Sequence, residues 1–150
     1  MKLKIPPAIQ LLIFMFIMWC IAKVSDVKHF EFEYQKETSR LLFGISIAVG
    51  LISLFAFRKA QTTIDPTQPS NASKLVIVSI YKFSRNPMYL SMLVLLLGFF
   101  IRLGNFYTLP VLPIYVWYMT TFQIRPEEEA LTLLFGETYK DYCNKVRRWI

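Results

Sequence analysis

Several residue types that mark common functional sites are scarce in this sequence. Its two cysteines, Cys20 and Cys143, lie far apart and form no C-x-x-C pair, which favours structural roles over a disulfide or a redox site. The sequence contains no cluster of metal-ligating residues and no glycine-rich nucleotide loop of the Rossmann kind. The single histidine, His29, stands between the first two apolar blocks. These absences predict a protein without a metal site and without the usual nucleotide-binding fold of soluble enzymes.

Charge is also missing from four long stretches of the chain. Apart from Lys23, no charged residue occurs in four apolar blocks, which are 6–24, 41–57, 88–101 and 106–122. A proton-coupled carrier needs a carboxylate inside a membrane helix, and the absence of acids from these blocks argues against that function. No small-x-small cleavage site follows the first block, so we expect it to be retained as a helix rather than removed as a signal peptide.

Apolar residues make up 55% of the chain and charged residues 18%, with a mean hydropathy of +0.41. A membrane-spanning helix needs roughly 17–25 apolar residues. We therefore predict a single all-α, multi-pass membrane domain over 1–150 with about four transmembrane helices and a C-terminal amphipathic helix. A soluble four-helix core is the alternative, but its helices would each show a polar face, which the first two blocks lack. The predicted elements are transmembrane helices at 6–24, 41–57, 84–103 and 106–123 and a tail helix at 126–149.

The basic residues predict the orientation of these helices. The segment 58–87 carries five bases against one acid, and Lys2 and Lys4 precede the first helix. The positive-inside rule then places the N-terminus, this segment and the tail in the cytoplasm, although the four bases of 23–40 fit an external loop poorly. Prolines and turn-forming residues predict a loop at 62–74. The net charge of +7 favours attraction to an anionic leaflet over nucleic-acid binding, because the bases are scattered among the apolar blocks.

The polar residues concentrate in two segments, 81–89 and 124–142, which the predicted topology puts on one membrane face. Together these segments and the tail resemble the isoprenylcysteine carboxyl methyltransferase family and its phospholipid methyltransferase relatives, over roughly the last 90 residues of the chain. The segment "TTIDP" at 62–66 is similar to bacterial-type members, which often have Asn at position 86 where other members have His. Members commonly have Gly where this chain has Ser79. The residues that carry the resemblance are Arg85-Asn86-Pro87-Met88-Tyr89, Glu127-Glu128 before Leu131, Phe135-Gly136 with Tyr139, and Val146 with Arg148.

The resemblance implies S-adenosylmethionine as the methyl donor and assigns provisional roles to both segments. The ammonium group of S-adenosylmethionine would bind to a carboxylate of the protein. The carboxylate of the cofactor would bind to a guanidinium group, which can form a bidentate pair with it. Arg85 and Arg148 are the predicted catalytic residues, and Arg148 could orient an anionic substrate. The predicted cofactor-binding residues are Tyr81, Arg85, Asn86, Pro87, Tyr89, Glu127, Glu128 and Tyr139.

Ordinary structural roles remain open for the same residues. Glu127 and Glu128 follow Pro126, a residue favoured at the start of a helix. The helix dipole alone would stabilise acidic residues in such a first turn. Arg85 could be a snorkelling arginine, and Tyr89 could belong to an interfacial aromatic belt. Tyr139 and Tyr142 share one face of the predicted tail helix and could anchor it in the interface. Arg148 could contact a lipid phosphate instead of a substrate.

The function implied is a direct methyl transfer to a lipophilic acceptor drawn from the bilayer, at the cytoplasmic face of a bacterial inner membrane. The expected partners are a lipid or lipophilic substrate and membrane lipids, with no nucleic acid and no metal. Neither polar segment contains an obvious general base, which favours an acceptor that is unprotonated at neutral pH, such as a carboxylate. Two other functions stay open, namely a catalytically inactive relative that acts as a small membrane interaction protein, and a four-helix carrier or channel.

Overall fold

The computed structural model describes residues 5–25, 29–60 and 75–150, and these residues form helices and connecting segments with no β-strand among them. The predicted loop at 62–74, the segment "TTIDP" and the basic residues Lys2 and Lys4 lie outside the described residues. A π-helical turn at Thr120–Ile124 joins two of the helices, and 3₁₀ turns lie at Ser79–Lys82 and Phe106–Thr108. The helices are α1 (Pro7–Val24), α2 (Gln35–Ala60), α3 (Pro87–Leu103), α4 (Val111–Met119), α5 (Arg125–Phe135) and α6 (Glu137–Lys145).

Two of these helices have the length and composition of membrane spans. α1 has 18 residues with a mean hydropathy of 2.0, and 25 residues of α2 include a window with a mean hydropathy of 2.1. Both present large apolar side chains outward, such as Leu12 and Phe16, each 64% exposed. Apolar helices of this length with exposed apolar faces fit the hydrocarbon core of a bilayer. α3 is shorter, with 17 residues, so four membrane spans stay a prediction.

The helices pack around a core of aromatic and aliphatic side chains. Phe14 of α1 meets the ring of Tyr115 of α4 edge-on, with the centroids 5.2 Å apart. α2 lies against α3, where the Ser46 hydroxyl donates to the Ser91 carbonyl oxygen at 2.7 Å. A Cβ on Gly98 would lie 2.9 Å from the ring of Phe43, so α2 and α3 approach closely only because this position has no side chain.

The start of α3 and the path from α4 to α5 differ from the predicted helices. α3 begins at Pro87 rather than at 84, because Pro is favoured at the first helical position, where its missing N–H costs nothing. The chain runs from α4 into α5 without a loop, although a separate tail helix at 126 is predicted. Pro126 cannot donate to a carbonyl of the preceding turn, and the π-helical turn directly before α5 accommodates this break in the hydrogen bonding.

The predicted tail helix at 126–149 is two helices, α5 and α6. Gly136 separates them with φ +52°, a left-handed backbone conformation that side-chain-bearing residues rarely adopt. After α6 the backbone becomes extended at Val146 and returns to the beginning of α3. The break at Gly136 therefore lets the C-terminal residues fold back over one end of the helix bundle.

The other end of the bundle is closed by backbone contacts between the α1–α2 connection and the end of α3. The Phe30 N–H donates to the Gly104 carbonyl oxygen at 2.6 Å, and Gln35 Nε2 donates to the Ile101 carbonyl oxygen at 2.7 Å. His29 Nδ1 lies 3.0 Å from the Leu103 carbonyl oxygen. The single histidine thus lies at the C-terminal end of α3, whereas Arg85 and Asn86 precede its N-terminal end.

Candidate functional site

An ion cluster of three side chains joins separate parts of the chain at the N-terminal end of α3. Glu128 of α5 accepts from Arg85 Nη2 at 2.9 Å, and it accepts a bidentate pair from Arg148, whose Nε and Nη2 lie 3.0 and 2.6 Å from its two oxygens. The side chains of Arg85, Glu128 and Arg148 are 11%, 16% and 34% exposed. The hydrogen bonds that Arg148 donates to Glu128 raise the pKa of the Arg148 guanidinium group above its usual range. The cluster combines two positive charges with one negative charge in a partly desolvated position.

Hydrogen bonds from both backbone and side chains hold the C-terminal segment against the residues that precede α3 and against the π-helical turn. Asn86 Nδ2 donates to the Arg148 carbonyl oxygen at 2.9 Å, and the Arg85 N–H donates to the Arg147 carbonyl oxygen at 3.0 Å. Trp149 Nε1 donates to Thr120 Oγ1 in the π-helical turn at 3.1 Å. These contacts fix the position of the C-terminal residues on both sides of Arg148.

Glu127 is partly buried and belongs to a second cluster, whose other side chains, Tyr89, Gln123 and Gln10, are buried. Its Oε1 accepts from the Tyr89 hydroxyl at 2.5 Å and from Gln123 Nε2 at 2.6 Å. Oε2 accepts no hydrogen bond from the described residues. Gln123 is in turn bonded to Gln10 of α1 at 3.2 Å. Adjacent glutamates therefore have different environments, since Glu128 is engaged through both oxygens and Glu127 through one.

Burial raises the pKa of Glu127 from its ordinary value of 4.5 to about 7, and the nearby charge of Glu128 acts in the same direction. The hydrogen bonds from Tyr89 and Gln123 stabilise the carboxylate and oppose this rise. Both donors reach Oε1, so Oε2 is the oxygen that is open to a proton in the neutral acid. Near neutral pH this carboxyl group can therefore either hold a proton or meet a cation.

Three further tyrosines surround the ion cluster. Tyr81, Tyr139 and Tyr142 are buried, and burial raises the pKa of each phenol above its usual range, so all three stay protonated at neutral pH. The Tyr142 hydroxyl donates to the Tyr81 carbonyl oxygen at 2.7 Å, which ties α6 to the 3₁₀ turn. Pro87 is buried at the start of α3. Tyr139 and Tyr142 thus pack against protein, rather than being exposed as anchors on the outer face of α6.

An open pocket of about 640 Å³ lies on the outer side of the ion cluster. Its volume is in the range of sites that bind small molecules. Arg125 contributes a further positive charge, and it takes part in no ion pair among the described residues. The lining residues are Arg125, Glu128, Glu129, Thr132, Leu133 and Arg148.

The structure brings most of the predicted site residues to one end of the bundle, but it arranges them differently from the prediction. Arg85 and Glu128, which are both predicted to bind the cofactor, contact each other directly. Three further residues of the site, Gln10, Gln123 and Thr120, are not among the residues predicted from the sequence. Gln10 and Gln123 are amides at the margins of apolar blocks. Burying a polar side chain there is unfavourable unless it is hydrogen-bonded, so their presence is a signal that could have identified them.

Comparison with known proteins agrees with the motif analysis. The family model described as phospholipid methyltransferase matches residues 34–138, which is more than half of the chain. This chain belongs to the phospholipid methyltransferase family. The matched region includes α2 to α5, with Arg85, Glu127 and Glu128, while α1 and Arg148 lie outside it.

Two relatives were found by sequence. A protein of Haemophilus influenzae described as uncharacterized is 41% identical over 63 residues, which cover 42% of this chain and all of the relative. Protein-S-isoprenylcysteine O-methyltransferase of Schizosaccharomyces pombe is 33% identical over 72 residues, which cover 48% of this chain and 30% of the relative. The match thus spans less than a third of that enzyme's length. No solved structure matches this chain.

Proposed function

We propose that this protein transfers a methyl group from S-adenosylmethionine to a lipophilic, membrane-associated acceptor at the end of the bundle that holds the ion cluster. Membership of the phospholipid methyltransferase family supports a methyltransferase activity. The observation that carries the proposal is the meeting of Arg85, Glu128 and Arg148 at one end of the bundle. Glu128 and Arg148 also line the open pocket, whereas Arg85 and Glu127 lie behind its lining. Charges of both signs at this position suit a zwitterionic cofactor that arrives from water.

The residues of the site fit the charged groups of this cofactor. Arg85 Nε is buried and has no hydrogen-bond acceptor among the described residues, so it is available to a ligand carboxylate. Glu127 Oε2 receives no donor from the described part of the chain, which makes it suitable for the ligand's ammonium group. Glu128 is already shared by two guanidinium groups. We therefore assign the ammonium to Glu127 and give Glu128 the task of orienting Arg85 and Arg148.

The bound cofactor supplies an activated methyl group, and the residues of this chain supply position and a suitable environment. Arg85 and Arg148 hold negative charge on the ligand or on an anionic acceptor. Asn86 fixes the C-terminal segment through the Arg148 carbonyl oxygen, and Tyr89 fixes Glu127. Holding two reactants in the geometry for reaction can remove about 7–11 kcal/mol from a barrier.

The acceptor is proposed to enter from the bilayer. α1 and α2 present exposed apolar side chains along their length, and the ion cluster lies at one end of these helices. An acceptor dissolved in the hydrocarbon region could therefore reach the site without crossing water. The proposed orientation, with the site at the cytoplasmic face, follows from the basic residues Arg58 and Lys59 at the same end of the bundle.

The test combines cofactor binding with methyl transfer. Purified protein is titrated calorimetrically with S-adenosylhomocysteine and then incubated with membranes and methyl-labelled cofactor, and labelled lipids are sought by mass spectrometry. Arg148→Ala should lose binding, because it removes the bidentate partner of Glu128. Arg147→Ala is the matched control, since its side chain is exposed and only its backbone contacts the site. Folded wild-type protein that neither binds nor transfers would refute the proposal.

One observation favours a second function, that of a catalytically inactive relative. Glu128 is satisfied internally by Arg85 and Arg148, so the cluster is stable as a structural tie without any ligand. A protein of this kind would use the end of its bundle for contacts with other membrane proteins. The same calorimetric titration separates the two functions, because an inactive relative with this closed cluster would give no heat of binding.

A further inference from the structure

Gln10 is a buried amide in an apolar helix, and its hydrogen bonds lead to Glu127. Its Nε2 donates to the Ile5 carbonyl oxygen at 2.8 Å and to Gln123 Oε1 at 3.2 Å. Gln123 Nε2 then donates to Glu127 Oε1 at 2.6 Å. Gln10 is 5% exposed. Two amides thus connect α1 to the carboxyl group of α5 that we assign to the cofactor's ammonium.

The carboxyl group sets the direction of this chain of hydrogen bonds. Since Glu127 Oε1 acts as an acceptor, Gln123 must turn its NH₂ group toward Glu127 and its oxygen toward α1. That oxygen meets the amide donor of Gln10. Hydrogen bonds in a chain polarise one another, so the bond from Gln10 strengthens Gln123 as a donor and prevents its amide from rotating.

Packing alone does not explain an amide at position 10. Gln10 Oε1 is buried and has no hydrogen-bond partner among the described residues, which is unfavourable. A leucine of similar size would fill the same space without this cost. What Gln10 adds over a leucine is its two hydrogen bonds, a local one to the Ile5 carbonyl oxygen and one to Gln123, and the second of these reaches the site.

We propose that Gln10 is a positioning residue of the cofactor site, which holds Gln123 so that Gln123 and Tyr89 occupy Oε1 of Glu127 and leave Oε2 for the ligand. This inference rests on the proposed function for its assignment of a ligand to Glu127. It makes α1 an element of the site, although α1 lies outside the residues that the family model matches.

The other groups around Glu127 define what the test must separate. Tyr89 of α3 donates to Glu127, Tyr81 of the 3₁₀ turn lies close enough to interact with it electrostatically, and Glu128 is its neighbour on α5. Gln10 and Gln123 are uncharged, so they act on Glu127 through hydrogen bonds alone. Weakening them destabilises the carboxylate and moves its titration to higher pH.

The experiment compares Gln10→Leu with Gln35→Leu in the full chain. Both changes remove an amide that is hydrogen-bonded between segments, but Gln35 lies at the opposite end of the bundle. Affinity for S-adenosylhomocysteine is measured by calorimetry between about pH 6 and 9, around the range in which a carboxyl group of this kind titrates. Gln10→Leu should bind about 2- to 10-fold more weakly near neutral pH. This loss of affinity should become smaller as the pH rises. Gln35→Leu should bind S-adenosylhomocysteine with the affinity of the wild type.

A double variant tests whether Gln10 acts through Gln123. Gln10→Leu combined with Gln123→Leu should bind no more weakly than Gln123→Leu alone, because the chain is already broken. If the losses of affinity of the two single variants add in the double variant, the inference is wrong. It is also wrong if Gln10→Leu loses the same affinity at every pH and has a lower melting temperature.

Infrared titration of the Glu127 carboxyl band keeps the inference separate from the proposed function. The band is identified by its loss in Glu127→Gln, and its midpoint should move to higher pH in Gln10→Leu but not in Gln35→Leu. If wild-type protein binds no S-adenosylhomocysteine, the proposed function fails while this measurement still decides the role of Gln10. An unchanged midpoint in Gln10→Leu refutes that role.

Discussion

Replacing Glu128 by glutamine removes the negative charge that two guanidinium groups share. Glu128 accepts three hydrogen bonds from Arg85 and Arg148, and both of its oxygens are engaged. Removing one partner of a buried ion pair typically costs about 3–5 kcal/mol. Arg148 is 34% exposed, so water partly replaces the lost contact, and we expect about 2–4 kcal/mol for Glu128→Gln.

This loss corresponds to a fall in melting temperature of about 5–15 °C for a protein of this length. Thermal unfolding of the detergent-solubilised protein measures it, and Glu129→Gln is the matched control. Glu129 is exposed on the same helix and forms no hydrogen bond or ion pair within the described residues, so its substitution should cost no more than about 0.5 kcal/mol. Equal melting temperatures for the two variants would show that the cluster does not stabilise the fold, and our account of how the C-terminal segment is held would be wrong.

Three other predictions follow from the same structure. Burial raises the pKa of Glu127 to about 7, so the folded chain keeps a proton there that the unfolded chain loses. The free energy of unfolding should therefore fall by up to ~3 kcal/mol as the pH rises from about 4.5 to 7, the melting temperature should fall with it, and this pH dependence should vanish in Glu127→Gln. Gly98→Leu should prevent α2 from packing on α3 and lower the yield of folded protein, whereas Gly44→Leu, at a position with open space, should not. Ser79 has φ +58°, so Ser79→Gly should raise the melting temperature by relieving strain of about 1 kcal/mol.

The apolar helices and the identity of the polar segments could be predicted from the sequence. Uninterrupted apolar blocks identify α1 and α2 as helices with the length and composition of membrane spans. The Arg-Asn-Pro-x-Tyr motif and the Glu-Glu pair pointed to the family that the comparison then confirmed. The departure at position 79 also has a structural counterpart, since Ser79 adopts the left-handed conformation that favours glycine.

The arrangement inside the site could not be predicted from the same patterns. Whether Glu127 or Glu128 faces a ligand depends on the rotation of α5, and that rotation is set by the π-helical turn before it. The periodicity of an ordinary α-helix does not describe such a turn. The pairing of Arg148 with Glu128 depends on the break at Gly136, which reverses the direction of the tail over a few residues.

Both clusters depend on residues at the two ends of the chain. Arg148, near the C-terminus, supplies two of the three hydrogen bonds to Glu128, and Gln10 of α1 supports the amide that holds Glu127. Neither residue lies within 34–138, the region that the family model matches. The matched region therefore provides the two glutamates and Arg85, but their final geometry requires α1 and the tail to close around them. The two outer segments differ in their contacts, because α1 reaches Glu127 through amides and the tail reaches Glu128 through charge. A change in α1 therefore acts directly on the cluster of Glu127, whereas a change in the tail acts directly on Glu128 and reaches Glu127 through the charge of Glu128.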